Sequence, residues 1–218
     1  MSDKHFVYFA DPMCSWCYGF SPVITALAAQ FADRLPVQLV MGGLRAGNTQ
    51  AMRPQDKDYI RNAWTRVGQA SGQPFDFAFF ERETFVYDTE PACRAVVAMR
   101  RLAADKALGF MSAIQRAFYG NNRDITQTEV LAAIAERETG IDAAAFTAEF
   151  MAPETRNETF RDFLVAQQAG VQGFPCLVAG NERDGFAQVT NGYRPIDGMP
   201  EAIEVWLSRD AEETRAGT

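Results

Sequence analysis

Cys14, Ser15, Trp16 and Cys17 set two thiols three positions apart, a spacing that suits either a redox-active dithiol or half of a zinc site. The run before them, His5 to Phe9 (HFVYF), is aromatic and β-branched and leads into Asp11-Pro12, so it reads as a buried strand entering a turn. Residues 15–33 carry apolar side chains in a helical spread, with Pro22 inside as an expected kink. Cys14 therefore falls where a strand hands over to a helix, beside main-chain amides that have no partner within that helix. Those amides and the helix dipole stabilise an anion, which makes Cys14 the expected attacking thiolate. Cys17, one turn further on, can attack a mixed disulfide at Cys14, and its place inside the helix suits a resolving thiol.

A zinc site would need further ligands, and the sequence supplies them poorly. Cys93 and Cys176 each stand alone, and the one histidine, His5, lies in the first strand with no metal-like spacing to anything. No metal is expected, and the exchange chemistry calls for no cofactor beyond the two thiols. Cys176 in PCLV and Cys93 in ACRAVVAM read as small buried hydrophobes, and His5 as structural. Gly173-Phe174-Pro175 opens a strand, where proline is tolerated and can adopt the cis form. Trp16 either lines a substrate groove or packs against neighbouring helices. The phenylalanines of residues 75–85 are expected to be buried.

The elements that must position these groups follow from periodicity. Residues 36–44 (PVQLVMGGL) read as a second, parallel strand, so the chain opens as a βαβ unit. Residues 53–168 turn helical, with helices expected near 54–70, 90–105, 107–119, 142–150 and 154–168. Another, from a capping box at Thr126 and Glu129, should run to Thr139 and stop at Gly140. Strand character returns at 175–180 and 186–192 as a hairpin, before a closing helix near 198–208 and a charged tail expected to fray. The reading is an α/β, thioredoxin-like fold with a large all-helical insertion: residues 1–46 and 170–218 form the thioredoxin-like domain and 47–169 the inserted subdomain.

With 218 residues, 47% of them hydrophobic, the chain can fill a core unaided. Its 28 acids against 21 bases give a net charge of −7 with no basic run, which argues against nucleic acid as a partner. The opening MSDKHFVYFADPMC lacks the features of a signal peptide, and no stretch approaches a membrane span, so a cytoplasmic protein is expected.

VYFADPMCSWCYGFSP (residues 7–22), Gly42-Gly43-Leu44 and the run from Gly170 through Gly173-Phe174-Pro175 together resemble the DsbA-like family, most closely its cytosolic, predicted disulfide-isomerase branch. The resemblance spans nearly the whole chain. It implies a thioredoxin-like fold with a helical insertion, Cys14 as nucleophile, Cys17 as resolving thiol, Pro175 as a cis-proline facing them, and a Phe174 backbone that pairs with substrate. Many exported relatives carry Pro-His between the cysteines; Ser15-Trp16 supplies no histidine to favour the thiolate, which argues against strong oxidising power. The implied activity is thiol-disulfide exchange or isomerisation on protein or small-molecule disulfides, with glutathione or a thioredoxin-type protein as reductant. The alternative is a kappa-like, glutathione-dependent transferase or isomerase of small hydrophobic molecules, in which serine typically occupies the nucleophile position.

Overall fold

The computed structural model describes residues 4–216, with side chains through residue 209. Its centre is a four-stranded sheet in the order β2-β1-β3-β4. β1 (His5–Ala10) pairs in parallel with β2 (Val37–Met41) and antiparallel with β3 (Cys176–Asn181), and β3 pairs antiparallel with β4 (Gly185–Asn191). Helix α1 (Ser15–Gln30) makes the crossover between the parallel strands. Between β2 and β3 lie α2 (Pro54–Ser71), α3 (Glu90–Leu102), α4 (Ala107–Gln115), α5 (Thr128–Thr139), α6 (Ala143–Met151) and α7 (Pro153–Gln168). α8 (Met199–Ala216) follows the hairpin.

Alternation along β1 places the two faces of the sheet. Phe6, Tyr8 and Ala10 join the large core shared with Phe20, Ile24 and Phe31, while Val7 and Phe9 pack with Val40, Cys176 and Ala166 of α7. The aromatic run of residues 75–85 closes around the buried Trp64 of α2: Phe75, Phe79 and Phe80 lie within 5.2 Å of its ring, centroid to centroid. α7 is tied to the sheet by Asp162, which accepts from the Met41 amide at 2.9 Å and pairs with Arg100 of α3 at 2.9 Å.

Several boundaries differ from the sequence expectation, each for a local reason. β2 ends at Met41 rather than 44, because the Leu44 amide turns away to donate to the Asp11 carboxylate. Pro22 leaves α1 continuous: the Tyr18 carbonyl that loses its helical donor accepts instead from the Gln73 side-chain amide at 3.2 Å. The capping box at Thr126 does not form. Asp124 takes both the amide and the hydroxyl of Thr126, at 3.0 and 2.6 Å, and α5 starts at Thr128. The segment expected as one helix over 107–119 widens into a π-type turn at Arg116–Gly120. The closing helix continues to Ala216, and of the expected frayed tail residues 217 and 218 lie outside the described residues. Among the described residues, no helix is long and apolar enough to cross a membrane.

Candidate active site

The tail of β1 and the start of α1 hold the two thiols. Cys14 is the N-cap residue of α1, with extended backbone, and its amide donates to the Asp11 carbonyl at 3.0 Å, closing the turn out of β1. Cys14 as a residue is 6% exposed, whereas Cys17 is fully enclosed. All four cysteines are free thiols. Sequence reasoning placed the Cys14 sulfur against the first-turn amides, but no such cap bond forms. The thiol donates across to the Phe174 carbonyl at 3.5 Å, because a protonated sulfur has a hydrogen to give and that carbonyl faces it. The Phe174–Pro175 peptide is cis. Burial, followed by the hydrogen bond with Cys14, pushes the Cys17 thiol well above the ordinary range. Tyr8, buried beside Cys17, is likewise raised by burial and by the two thiols, and its hydroxyl lacks a well-formed partner.

Beneath the thiols lies a group that sequence reasoning treated only as a turn residue. Asp11 is completely buried; Oδ1 accepts from the Met13 amide at 2.8 Å, and Oδ2 accepts from the Leu44 amide at 2.7 Å and the Cys93 thiol at 3.5 Å. Burial raises its carboxyl above the usual value, opposed by the two amides and the Thr89 hydroxyl. Thr89 also accepts from the Arg45 amide at 3.1 Å. One carboxylate thus fastens the loop after β2 to the loop that carries Cys14. Tyr87 adds a second tie, donating to the Met13 carbonyl at 2.8 Å.

Cys14 opens into a cleft of about 290 Å³ that also exposes Trp16, Arg45, Tyr59, Arg66 and Phe174. Trp16 lines this cleft, packs on Tyr193 after β4 with ring centroids 5.5 Å apart, and also packs against the large core. The structure therefore gathers Cys14, Cys17, Trp16 and Phe174 with Pro175 behind them. It sends Cys176 to the opposite face of the sheet, among Val7 and Phe9, and leaves His5 in β1 against Phe186. Cys93 is enclosed as expected, but its thiol serves Asp11 instead of merely filling space. Asp11, Arg45, Arg66, Tyr87 and Thr89 went unread in the sequence; a charged residue at the end of an apolar strand was the one available signal, at Asp11.

A Cys-x-x-Cys at a strand-to-helix junction, facing the residue before a cis-proline on a β2-β1-β3-β4 sheet, defines a thioredoxin-like thiol-disulfide oxidoreductase scaffold. The chain belongs to the DSBA-like thioredoxin domain family, whose model matches residues 6–204. Among solved structures it is similar to a "putative protein disulfide isomerase" from Nitrosomonas europaea, with 36% identity, a TM-score of 0.86, and coverage of 94% of this chain and 98% of that one. It is also similar to the cytosolic disulfide reductase DsbM from Pseudomonas aeruginosa, at 27% identity and a TM-score of 0.76 over 94% and 98% of the two chains. A further structure of that reductase contains GSH. A curated relative, the ClpXP adapter protein SpxH of Bacillus subtilis, is 23% identical over 79% of this chain and 57% of its own. The chain thus spans less than two thirds of that relative's length.

Proposed function

We propose that this protein carries out dithiol-disulfide exchange, with Cys14 attacking and Cys17 resolving. The observation that carries the reading is the paired placement of the sulfurs: Cys14 at the helix N-cap in the wall of a cleft, Cys17 enclosed one turn behind it. The Cys14 thiolate attacks one sulfur of a disulfide; the new S–S bond forms as the old one breaks, and the departing thiolate takes up a proton. Cys17 then attacks the Cys14 sulfur and expels the second thiol. Two electrons pass to the substrate, and the Cys14–Cys17 disulfide is returned to the dithiol by glutathione or a thioredoxin-type reductant.

Trp16 and Phe174 line the substrate site, and Pro175, buried behind Phe174, fixes that residue's place in it. The Phe174 carbonyl, which accepts the Cys14 thiol, becomes available to a bound peptide or thiol once Cys14 loses its proton. We assign the thioredoxin-like domain to residues 1–46 and 170–218 and the helical insertion to 47–169. Similarity to a cytosolic reductase supports work in the cytoplasm, in the reductive or isomerising direction on protein or small-molecule disulfides. The presence of Cys17 favours this reading over a kappa-like glutathione transferase, which needs no second thiol.

Insulin reduction by dithiothreitol tests the proposal. Wild type should accelerate it, and Cys14→Ala and Cys17→Ala should each abolish the acceleration. Activity lost only in Cys14→Ala would overturn the two-thiol mechanism, and a Cys17→Ser protein with full turnover of glutathione and an electrophile would favour the transferase.

A further inference from the structure

The cleft at Cys14 is lined by two arginines that make no ion pair within 4 Å among the described residues. Arg34, Arg53, Arg94, Arg100, Arg101, Arg116, Arg137 and Arg183 all reach a carboxylate within 4 Å. Arg45 and Arg66 have no carboxylate partner among the described residues, although the chain has an excess of acids with a net charge of −7. Both line the cleft that exposes Cys14. Arg45 is half-buried, with its guanidinium over the Tyr87 ring at 5.2 Å and its main chain held by Thr89. The preceding amide, that of Leu44, is held by Asp11. Arg45 is thus set in place from beneath the active site. It also lines an adjoining polar cavity of about 520 Å³, whose acid, Asp56, is paired with Arg53 at 2.9 Å and feels the Arg45 charge only at longer range.

We propose that Arg45 and Arg66 select small thiols and disulfides that carry carboxylates, of the glutathione class, by binding those carboxylates beside Cys14. The inference rests on the exchange reaction proposed above and names its preferred small partner. A guanidinium matches a carboxylate with two parallel N–H donors, and desolvation on the aromatic face of Tyr87 strengthens the pair. A cleft of about 290 Å³ suits a small molecule rather than the surface of a folded protein. In the step itself, Cys14 attacks one sulfur of glutathione disulfide and one glutathione leaves as its thiolate. Cys17 then displaces the second glutathione and closes the protein disulfide. The arginines take no part in the electron transfer; they hold the substrate carboxylates.

The test measures oxidation of the reduced protein by glutathione disulfide and by bis(2-hydroxyethyl) disulfide, which has no carboxylate. The readout is the ratio of the two second-order rate constants. In Arg66→Gln and Arg45→Gln the ratio should fall by several-fold, and in the double variant by about tenfold, the effect of about 1.4 kcal/mol of lost binding. Added salt should erode the preference in wild type and have little effect in the double variant. Arg61→Gln, on the same helix as Arg66 but stacked on Phe80 outside the cleft, should keep the wild-type ratio. An unchanged ratio in the double variant, or equal slowing with both disulfides, would overturn the assignment. Wild type that reacts with the neutral disulfide but shows no preference would overturn it while leaving the exchange reaction standing. Failure to react with either disulfide would sink the exchange reaction itself.

Discussion

Replacing Asp11 by asparagine should destabilise the protein without changing the size of any side chain. The carboxylate receives two main-chain amides, from Met13 at 2.8 Å and Leu44 at 2.7 Å, in a site with no exposure. An amide side chain offers one oxygen and one NH₂, so one of the two buried N–H groups must face a donor. A lost charge-assisted hydrogen bond costs about 1.5–3 kcal/mol, and the stranded donor about 1–3 kcal/mol more. Removing a buried charge offsets part of this, as the raised Asp11 carboxyl indicates. A net loss of about 2 kcal/mol corresponds to a fall in Tm of about 4–8 °C for a chain of this size. The pH dependence has a definite sign. A carboxyl raised in the folded state binds its proton there before the unfolded chain does. Wild-type stability contributed by Asp11 is therefore fully present below the ordinary value of 3.8 and declines as pH rises through the higher folded value. The asparagine variant has no such titration, so the gap between the two proteins should narrow from acid to neutral pH. Urea unfolding of both across that range measures it. A Tm change below about 1 °C, or a gap that widens with rising pH, would refute the reasoning.

Three further outcomes follow from the same geometry. In the reduced native protein, iodoacetamide should label Cys14 ahead of the other three thiols, with Cys17 and Cys93 protected by complete burial; peptide mapping showing Cys17 or Cys93 labelled as fast as Cys14 would contradict the site. Gly42→Ala should slow insulin reduction and cost about 1–3 kcal/mol by overpacking. Its new Cβ would lie 2.0 Å from the Phe174 ring, while the Gly42 amide stays bound to the Ala10 carbonyl at 2.8 Å, so the ring must move; unchanged rate and Tm would count against the packing. Asp162→Ala should lower stability by about 2 kcal/mol, because it leaves the buried Met41 amide without its acceptor and takes from Arg100 one of its two carboxylates, Glu158 at 2.7 Å remaining. The check is the urea midpoint at unchanged m, and a shift worth less than about 1 kcal/mol would contradict it.

The parts of the site legible in the sequence were those coded locally. The apolar run of β1, the spacing of Cys14 and Cys17, the glycines after β2 and the proline opening β3 each declare themselves within a few residues. Asp11 did not, because its partners Leu44 and Cys93 are 33 and 82 positions away and only the crossover and α3 bring them in. Arg45 and Arg66 carried no local signal, since the lack of an ion pair is a tertiary fact. Local rules failed where a nearby group competed more strongly. Asp124 captured the hydroxyl that should have capped α5, and where Pro22 was expected to kink α1 the Gln73 amide takes up the carbonyl that the proline leaves without a helical donor.

Trapping the covalent intermediate addresses the central assignment most directly. Cys17→Ser protein, fully reduced and mixed with glutathione disulfide, should hold one stable glutathione on Cys14, identified by intact mass and peptide mapping, while wild type should proceed to the Cys14–Cys17 disulfide and hold none. An adduct on Cys93 or Cys176, or a wild-type protein that keeps its glutathione as firmly as the variant, would contradict the division of labour between the two thiols.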